Sequence, residues 1–225
     1  IANEVVMYKM VTKTSCKYCN FIKGNSSLVF DKFIDETTNF VVVPSMGSLV
    51  PGWQLICPKK HYLNMTMLGQ NDKEEFNALL MRRVIATREL YKKQVIVFEH
   101  GAVTDNSLIG CGVDHAHVHV VPVDFDFLES VKRSEKSFKS LSPIISMTDF
   151  YMDTRISDKP YWICSLAGED VLFTSDMTPT SQFFRKIIAA QLNKEDYFDY
   201  KKFVYIENVI KTLEDFSSDN RKLVV

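Results

Sequence analysis

The sequence predicts an α+β fold built on an antiparallel sheet. Three observations predict it. Short β-rich runs bounded by turn residues open the chain, one long amphipathic helix follows, and strands, a hairpin and further helices come after it without regular βαβ alternation. The 225 residues suffice for a real core, and the composition, 46% apolar and 24% charged, is ordinary for a globular chain. The length fits one large domain, or one domain with a substantial extension.

The elements follow in order. Leu28–Phe33 and Phe40–Val43 are β-rich runs. Pro44-Ser45-Met46-Gly47 and Pro51-Gly52 are turn signals, and Trp53–Cys57 is a further strand. Asn71 or Asp72, with Glu74 or Glu75 three residues on, can cap the long helix. Phe76, Leu79, Leu80, Val84, Thr87, Leu90 and Tyr91 recur at helical spacing and predict its buried face. Arg82, Arg83, Arg88, Lys92 and Lys93 read as its solvated face. Val95–Phe98 is a short strand, Glu99–Gly112 a polar loop, and Val113–Val123 a longer strand. The charged, serine-rich run Asp124–Pro143 reads as a linker or surface excursion. Tyr161–Leu166 and Val171–Thr174 flank a hairpin turn. A helix after Thr180 or Ser181 presents Phe184, Ile187, Ile188 and Leu192, and a last one presents Ile206, Ile210, Leu213 and Phe216.

Charge and length exclude several classes. With 27 Lys and Arg against 28 Asp and Glu, the net charge is −1, so no basic field exists to coat a long nucleic acid. No apolar run approaches the ~18 residues of a membrane span, and no signal-peptide pattern opens the chain. Five cysteines without regular spacing make a poor disulfide framework and point to a cytoplasmic setting. Cys57 and Cys164 lie in apolar runs and read as small buried hydrophobes.

Histidine is the unusual residue. All five lie between His61 and His119, and three alternate: His115, His117 and His119. On a strand, alternate residues share a face, so the three would project together while Ala116, Val118 and Val120 face a core. Such a row suits either a metal site or nucleophilic and acid–base chemistry. Cys16-Lys17-Tyr18-Cys19 is a C-x2-C pair, compatible with redox chemistry, zinc or neither.

His115-Ala116-His117-Val118-His119-Val120-Val121 resembles the signature of the histidine-triad (HIT) superfamily, His-φ-His-φ-His-φ-φ with φ apolar. Pro51-Gly52-Trp53 through Pro58-Lys59-Lys60-His61 is similar to the family's Pro-Gly-His strand, and Phe98-Glu99-His100-Gly101 to its N-x-G strand end. The resemblance covers roughly residues 16–123. It implies a core over 1–125 with a sheet of about five strands and a long helix. An extension over 126–225, packed on that core, would begin with a linker at about 126–145.

What the resemblance implies about chemistry is specific. His117 would be the nucleophile that attacks a nucleotide α-phosphate and carries the nucleotidyl group, and His119 would bond the phosphoryl oxygen or the leaving group. His119 where one branch has Gln, and Ala116 where it has Pro, set the chain with the hydrolases rather than the uridylyltransferases. Cys16, Cys19, His61 and His115 match the structural zinc ligands of some branches, a closed Cys2His2 set.

Three positions depart from the family. Ser45 stands where Asp or Asn contacts ribose, Glu99 where Asn or Gln ends the strand, and Gly110-Cys111-Gly112 where Gly-Gln-Ser/Thr touches phosphate. Ser45, Glu99, His100, Gly110, Cys111 and Gly112 are therefore the expected substrate contacts. Arg185 and Lys186 read as a solvated cationic pair that can also meet a phosphate.

The expected activity is hydrolysis of nucleoside polyphosphates or phosphoramidates. Nucleotidyl transfer, a dinucleoside polyphosphate phosphorylase, and a catalytically weak nucleotide- or RNA-related binding module are the alternatives. The expected partners are a nucleotide and, by the resemblance, a second copy in a homodimer.

Overall fold

The computed structural model describes residues 16–142, 145–152 and 158–220. Residues 1–15, with which the core was expected to begin, and Pro143 at the end of the charged run lie outside them. The fold is α+β as expected, with every strand pair antiparallel.

The chain enters through helix α1 (Lys17–Ile22) and strands β1 (Asp35–Glu36), β2 (Phe40–Pro44) and β3 (Gln54–Pro58), then the long helix α2 (Gln70–Tyr91). Strands β4 (Gln94–Gly101) and β5 (Val118–Val123) follow, then helix α3 (Phe127–Ser134), strand β6 (Lys139–Ser140) and helix α4 (Met147–Met152). The hairpin β7 (Tyr161–Leu166) and β8 (Asp170–Thr174) precedes helices α5 (Phe183–Gln191) and α6 (Ile206–Asn220). The strands form one sheet of eight, in the order β1-β2-β3-β5-β4-β7-β8-β6, rather than about five. The reason is β4. Its second edge pairs with β7 over six residues, so the C-terminal hairpin extends the sheet instead of lying apart from it.

Both sheet faces are covered. Val42, Ile56, Val97, Val118 and Val120 pack under α2 (Phe76, Leu79, Leu80, Val84) and α4 (Phe150, Tyr151). On the other face, Trp53, Phe98, Val121 and Trp162 pack under α3 (Phe127, Val131) and α5 (Phe184, Ile187, Ile188). Val41, Val43, Leu55 and Cys57 meet Phe21 of α1 on that face as well. A strand covered on both sides reads as a continuous apolar run, as β2 does, and β5 departs from this only at His119.

Several local expectations are corrected. Leu28–Phe33 holds a short 3-10 turn at Val29–Asp31 instead of a strand. Helix α2 starts ahead of Asn71 and Asp72, after Gly69, without a side-chain cap. Its Glu75 instead accepts from the Asn39 amide and side chain at 2.9 and 2.8 Å. Arg83 is buried, donating from Nε to Gln54 at 2.8 Å and lying 4.4 Å over the Phe216 ring. Residues 126–145, read as a linker, contain α3 and β6, and Phe127 and Val131 of α3 sit in the core. On α6 the inward residues are Val209, Thr212 and Phe216, while Ile206 and Ile210 are exposed.

Candidate active site and metal centre

Only His119 of the triad lies in the β5 ladder, opposite Leu55 of β3 and Phe98 of β4. His115 and His117 precede the strand, whose expected start at Val113 is thereby moved to Val118. The alternation nevertheless persists: Ala116, Val118 and Val120 enter the core under α2, while the three imidazoles gather on the opposite side.

Each triad ring is held by a different acceptor or donor, and that fixes its chemistry. His115 Nε2 stands 2.8 Å from the Pro58 carbonyl, to which it must donate, so Nδ1 keeps its lone pair. That Nδ1 lies 3.5 Å from Cys16 Sγ and 3.6 Å from Cys19 Sγ, and Cys19 Sγ lies 3.4 Å from His61 Nδ1. The four ligand atoms all fall within 4.8 Å of one another. Two sulfurs and two imidazole nitrogens at this spacing fit a tetrahedral zinc ion, and a ligand histidine tied back to a carbonyl is the usual supporting arrangement. All four expected ligands are thus brought together.

His117 Nδ1 lies 2.7 Å from the His115 carbonyl and donates to it. The Nε2 atom is then the one with a lone pair. Burial lowers the His117 pKa below its ordinary value, and the bond to the carbonyl opposes that shift. His119 is arranged the other way. Trp53 Nε1 donates to His119 Nδ1 at 2.9 Å, and an indole can only donate. The proton of His119 therefore sits on Nε2. Burial depresses its pKa strongly, with the neighbouring His117, His100 and Arg185 adding to the effect. A lone-pair nitrogen on His117 thus stands beside an N–H donor on His119, the ring centroids 5.0 Å apart.

The two rings line a cavity of about 410 Å³. Ser45, Cys111 and Gly112 line it as well, as does Tyr18, whose ring lies 5.5 Å from that of His117. Gly112 has φ +80°, a conformation suited to glycine.

The remaining expected contacts are elsewhere. Glu99 shares the face of Val97, under α2, because β4 runs on to Gly101 rather than ending at Phe98. Its carboxylate accepts from the Met65 amide at 2.8 Å and the Tyr161 hydroxyl at 2.6 Å, and burial pushes its pKa to about 7. His100 is buried behind the cavity wall, its Nδ1 3.1 Å from Cys111 Sγ. Gly110 has its N–H engaged with Ser107 and its carbonyl with Gln182 and Ser181, which leaves no amide there for a phosphate.

Tyr200 and Lys201 of the cavity wall escaped the sequence reading, and Arg185 was named there as a cation that can meet a phosphate but not as a buried one. Arg185, read as solvated, is buried at 2% exposure and lines the cavity with Tyr200 and Lys201. An Arg flanked by Phe183, Phe184, Ile187 and Ile188 on a short helix was the available signal. Trp53 was visible as the residue that replaces His after Pro51-Gly52, but its partner was not.

No family model matches the chain, and no curated protein does. Solved structures are similar to part of it. The SMU.412c protein of Streptococcus mutans UA159 is 21% identical, with a TM-score of 0.42 over 50% of this chain and 71% of its own. A Zn-bound histidine triad family protein from Mycobacterium smegmatis is 23% identical, with a TM-score of 0.38 over 48% of this chain and 74% of its own. A HIT family hydrolase from Clostridium thermocellum is 18% identical, with a TM-score of 0.40 over 51% of this chain and 96% of its own. The likeness is confined to about half of this chain. Among the described residues no helix is long and apolar enough to cross a membrane.

Proposed function

We propose that the chain is a histidine-triad nucleotidyl hydrolase, which cleaves nucleoside polyphosphates or phosphoramidates at the α-phosphate through a nucleotidyl-His117 intermediate. The observation that carries this reading is the His117 Nδ1–H bond to the His115 carbonyl at the wall of the cavity. It leaves Nε2 in the tautomer that attack requires. Nε2 forms a bond to the α-phosphorus as the bond from phosphorus to the leaving group breaks, and the electron pair departs with that group, a phosphate leaving as the anion and an amine leaving after it has taken a proton from water. Water then attacks the phosphorus and loses a proton to solvent, and the P–N pair returns to Nε2. The His119 Nε2–H donates to a phosphoryl oxygen as negative charge concentrates there. Ser45 and the Cys111-Gly112 backbone are the nucleotide contacts that the cavity wall offers.

Cys16, Cys19, His61 and His115 would hold a zinc ion. Such an ion supplies a cross-link between three chain segments, and the reaction takes no step through it. His115 is thereby withdrawn from catalysis and positions His117 through its carbonyl. One zinc per chain in elemental analysis is the expected result, and a folded, active, metal-free protein would refute the assignment.

The test of the reaction is an assay of wild type and His117→Ala against a panel of dinucleoside polyphosphates and nucleoside phosphoramidates. Release of a nucleoside monophosphate by wild type, reduced by about 10³-fold or more in the variant, supports the reading. Equal turnover by the two proteins overturns it. Repeating the assay with added phosphate identifies the acceptor.

A further inference from the structure

One wall of the cavity comes from the C-terminal half of the chain and carries two cations, Arg185 and Lys201, neither of them in a close ion pair among the described residues. Arg185 Nε donates to the Phe198 carbonyl at 3.1 Å, and Nη2 donates to the Gly47 carbonyl. Its guanidinium lies 4.6 Å over the Trp53 ring and 5.7 Å over the Tyr200 ring. Among the described residues no acidic group is within ion-pair distance of it. Burial lowers its pKa to about 10, which leaves it cationic at neutral pH. Asp199 acts on it only from beyond ion-pair distance, so a buried guanidinium with no carboxylate in contact is costly, and an anion brought by a ligand would relieve that cost.

Lys201 stands beside it. Its Nζ lies 2.9 Å from the point where a Cβ on Gly112 would be, so the ammonium rests against the Cys111-Gly112 loop. Lys201 is exposed and likewise has no ion-pair partner among the described residues. The acidic groups nearby are held by neutral donors and keep their charge, and Asp31 and Asp114 line the cavity away from this pair. Asp31 accepts from the Ser26 hydroxyl, Asp114 from the Asn106 amide, and Asp199 from Gln182 and the Lys201 amide. Trp53 ties this wall to the triad, since the indole under Arg185 is the one that bonds His119.

We propose that Arg185 and Lys201 form an oligophosphate subsite that holds the anionic leaving group, the phosphate chain beyond the α-phosphate. The proposal rests on the reaction assigned to His117, and it narrows the substrate to nucleoside polyphosphates over phosphoramidates with a neutral amine. A planar guanidinium anchored by two carbonyls and a mobile ammonium suit the unlike oxygens of a pyrophosphate unit.

The test uses the full chain and two substrates that share one nucleoside α-phosphate: a dinucleoside tetraphosphate and a phosphoramidate with an uncharged amine. Lys201→Ala and Arg185→Lys are each expected to lower the ratio of kcat/KM for the first over the second by about tenfold or more. Inorganic pyrophosphate, followed by calorimetry, is expected to bind wild type about tenfold more tightly than either variant. Lys201 is exposed, so its replacement tests the subsite even where a change at buried Arg185 unfolds the chain. An unchanged ratio together with unchanged pyrophosphate affinity overturns the subsite. Should wild type turn over neither substrate, the His117 reading fails instead, and pyrophosphate binding alone decides the subsite.

Discussion

Trp53 decides which nitrogen of His119 carries a proton. Its Nε1–H occupies His119 Nδ1 at 2.9 Å, and both side chains are buried. Trp53→Phe keeps an aromatic ring but removes the donor and some buried volume, so either tautomer of His119 becomes available. Turnover is expected to fall by about tenfold or more, with a stability loss of about 1–3 kcal/mol for the buried acceptor left unpaired and a further loss for the cavity. Rate measurements and thermal melts check both, and an unchanged rate would show that the tautomer is immaterial. Glu99 gives a second test at this scale. Its pKa is raised by burial to about 7 in the folded chain, against 4.5 as the ordinary value. A raised pKa means stability that is fully present below pH ~4.5 and lost as pH rises through ~7. Glu99→Gln is expected to remove about 3 kcal/mol of that pH dependence in denaturant titrations. A curve of the same slope in both proteins would contradict the burial assigned to Glu99. The histidines and cysteines were legible in the sequence because residue type and spacing state their chemistry. Glu99 was not, because one strand running three residues further than its apolar run reversed the face it points to.

Helix α1 is six residues long, too short to persist in water without tertiary support. It is held by Phe21 packing on Val41 and Val43 and, in the zinc assignment proposed above, by Cys16 and Cys19 as ligands. Chelation of the metal is therefore expected to lower Tm and to raise amide exchange across Lys17–Ile22, while α2 stays protected. An exchange pattern unchanged by chelation would show that the cysteines do not anchor the helix. The other helices show what amphipathic spacing can and cannot reveal. In α2 the expected face is the observed one, yet Arg83 is buried because Gln54 and Asp35 reach it from the sheet. In α6 the stripe is rotated from that expected, since Thr212 donates to the Asn208 carbonyl and accepts from the Gly52 amide, which turns Val209 and Phe216 inward. Apolar spacing locates a helix, whereas a polar tertiary bond sets its rotation.

The described strands form one sheet with the candidate site on the face shared by α1 and α5. The C-terminal hairpin pairs with β4, so it closes an edge that the first half would leave open. A chain ended after Val123 is expected to expose that apolar edge and to aggregate, where the full chain stays monodisperse in size-exclusion chromatography. Antiparallel class, the long helix and the hairpin were legible from turn residues and periodicity. The joining of the two halves was not, because strand pairing between residues as distant as Phe98 and Cys164 leaves no local pattern. The same pairing sets Phe184 of α5 over Phe98 and His100, so Arg185 enters the cavity from beyond the triad region. The proposed function rests on His117 Nε2 as the atom that would carry the nucleotide. The most direct measurement is mass spectrometry of the chain quenched at alkaline pH during turnover of a nucleoside polyphosphate. A nucleotidyl adduct on the peptide containing His117, absent from His117→Ala, is expected. Undiminished turnover by that variant, with no adduct in either protein, would contradict it.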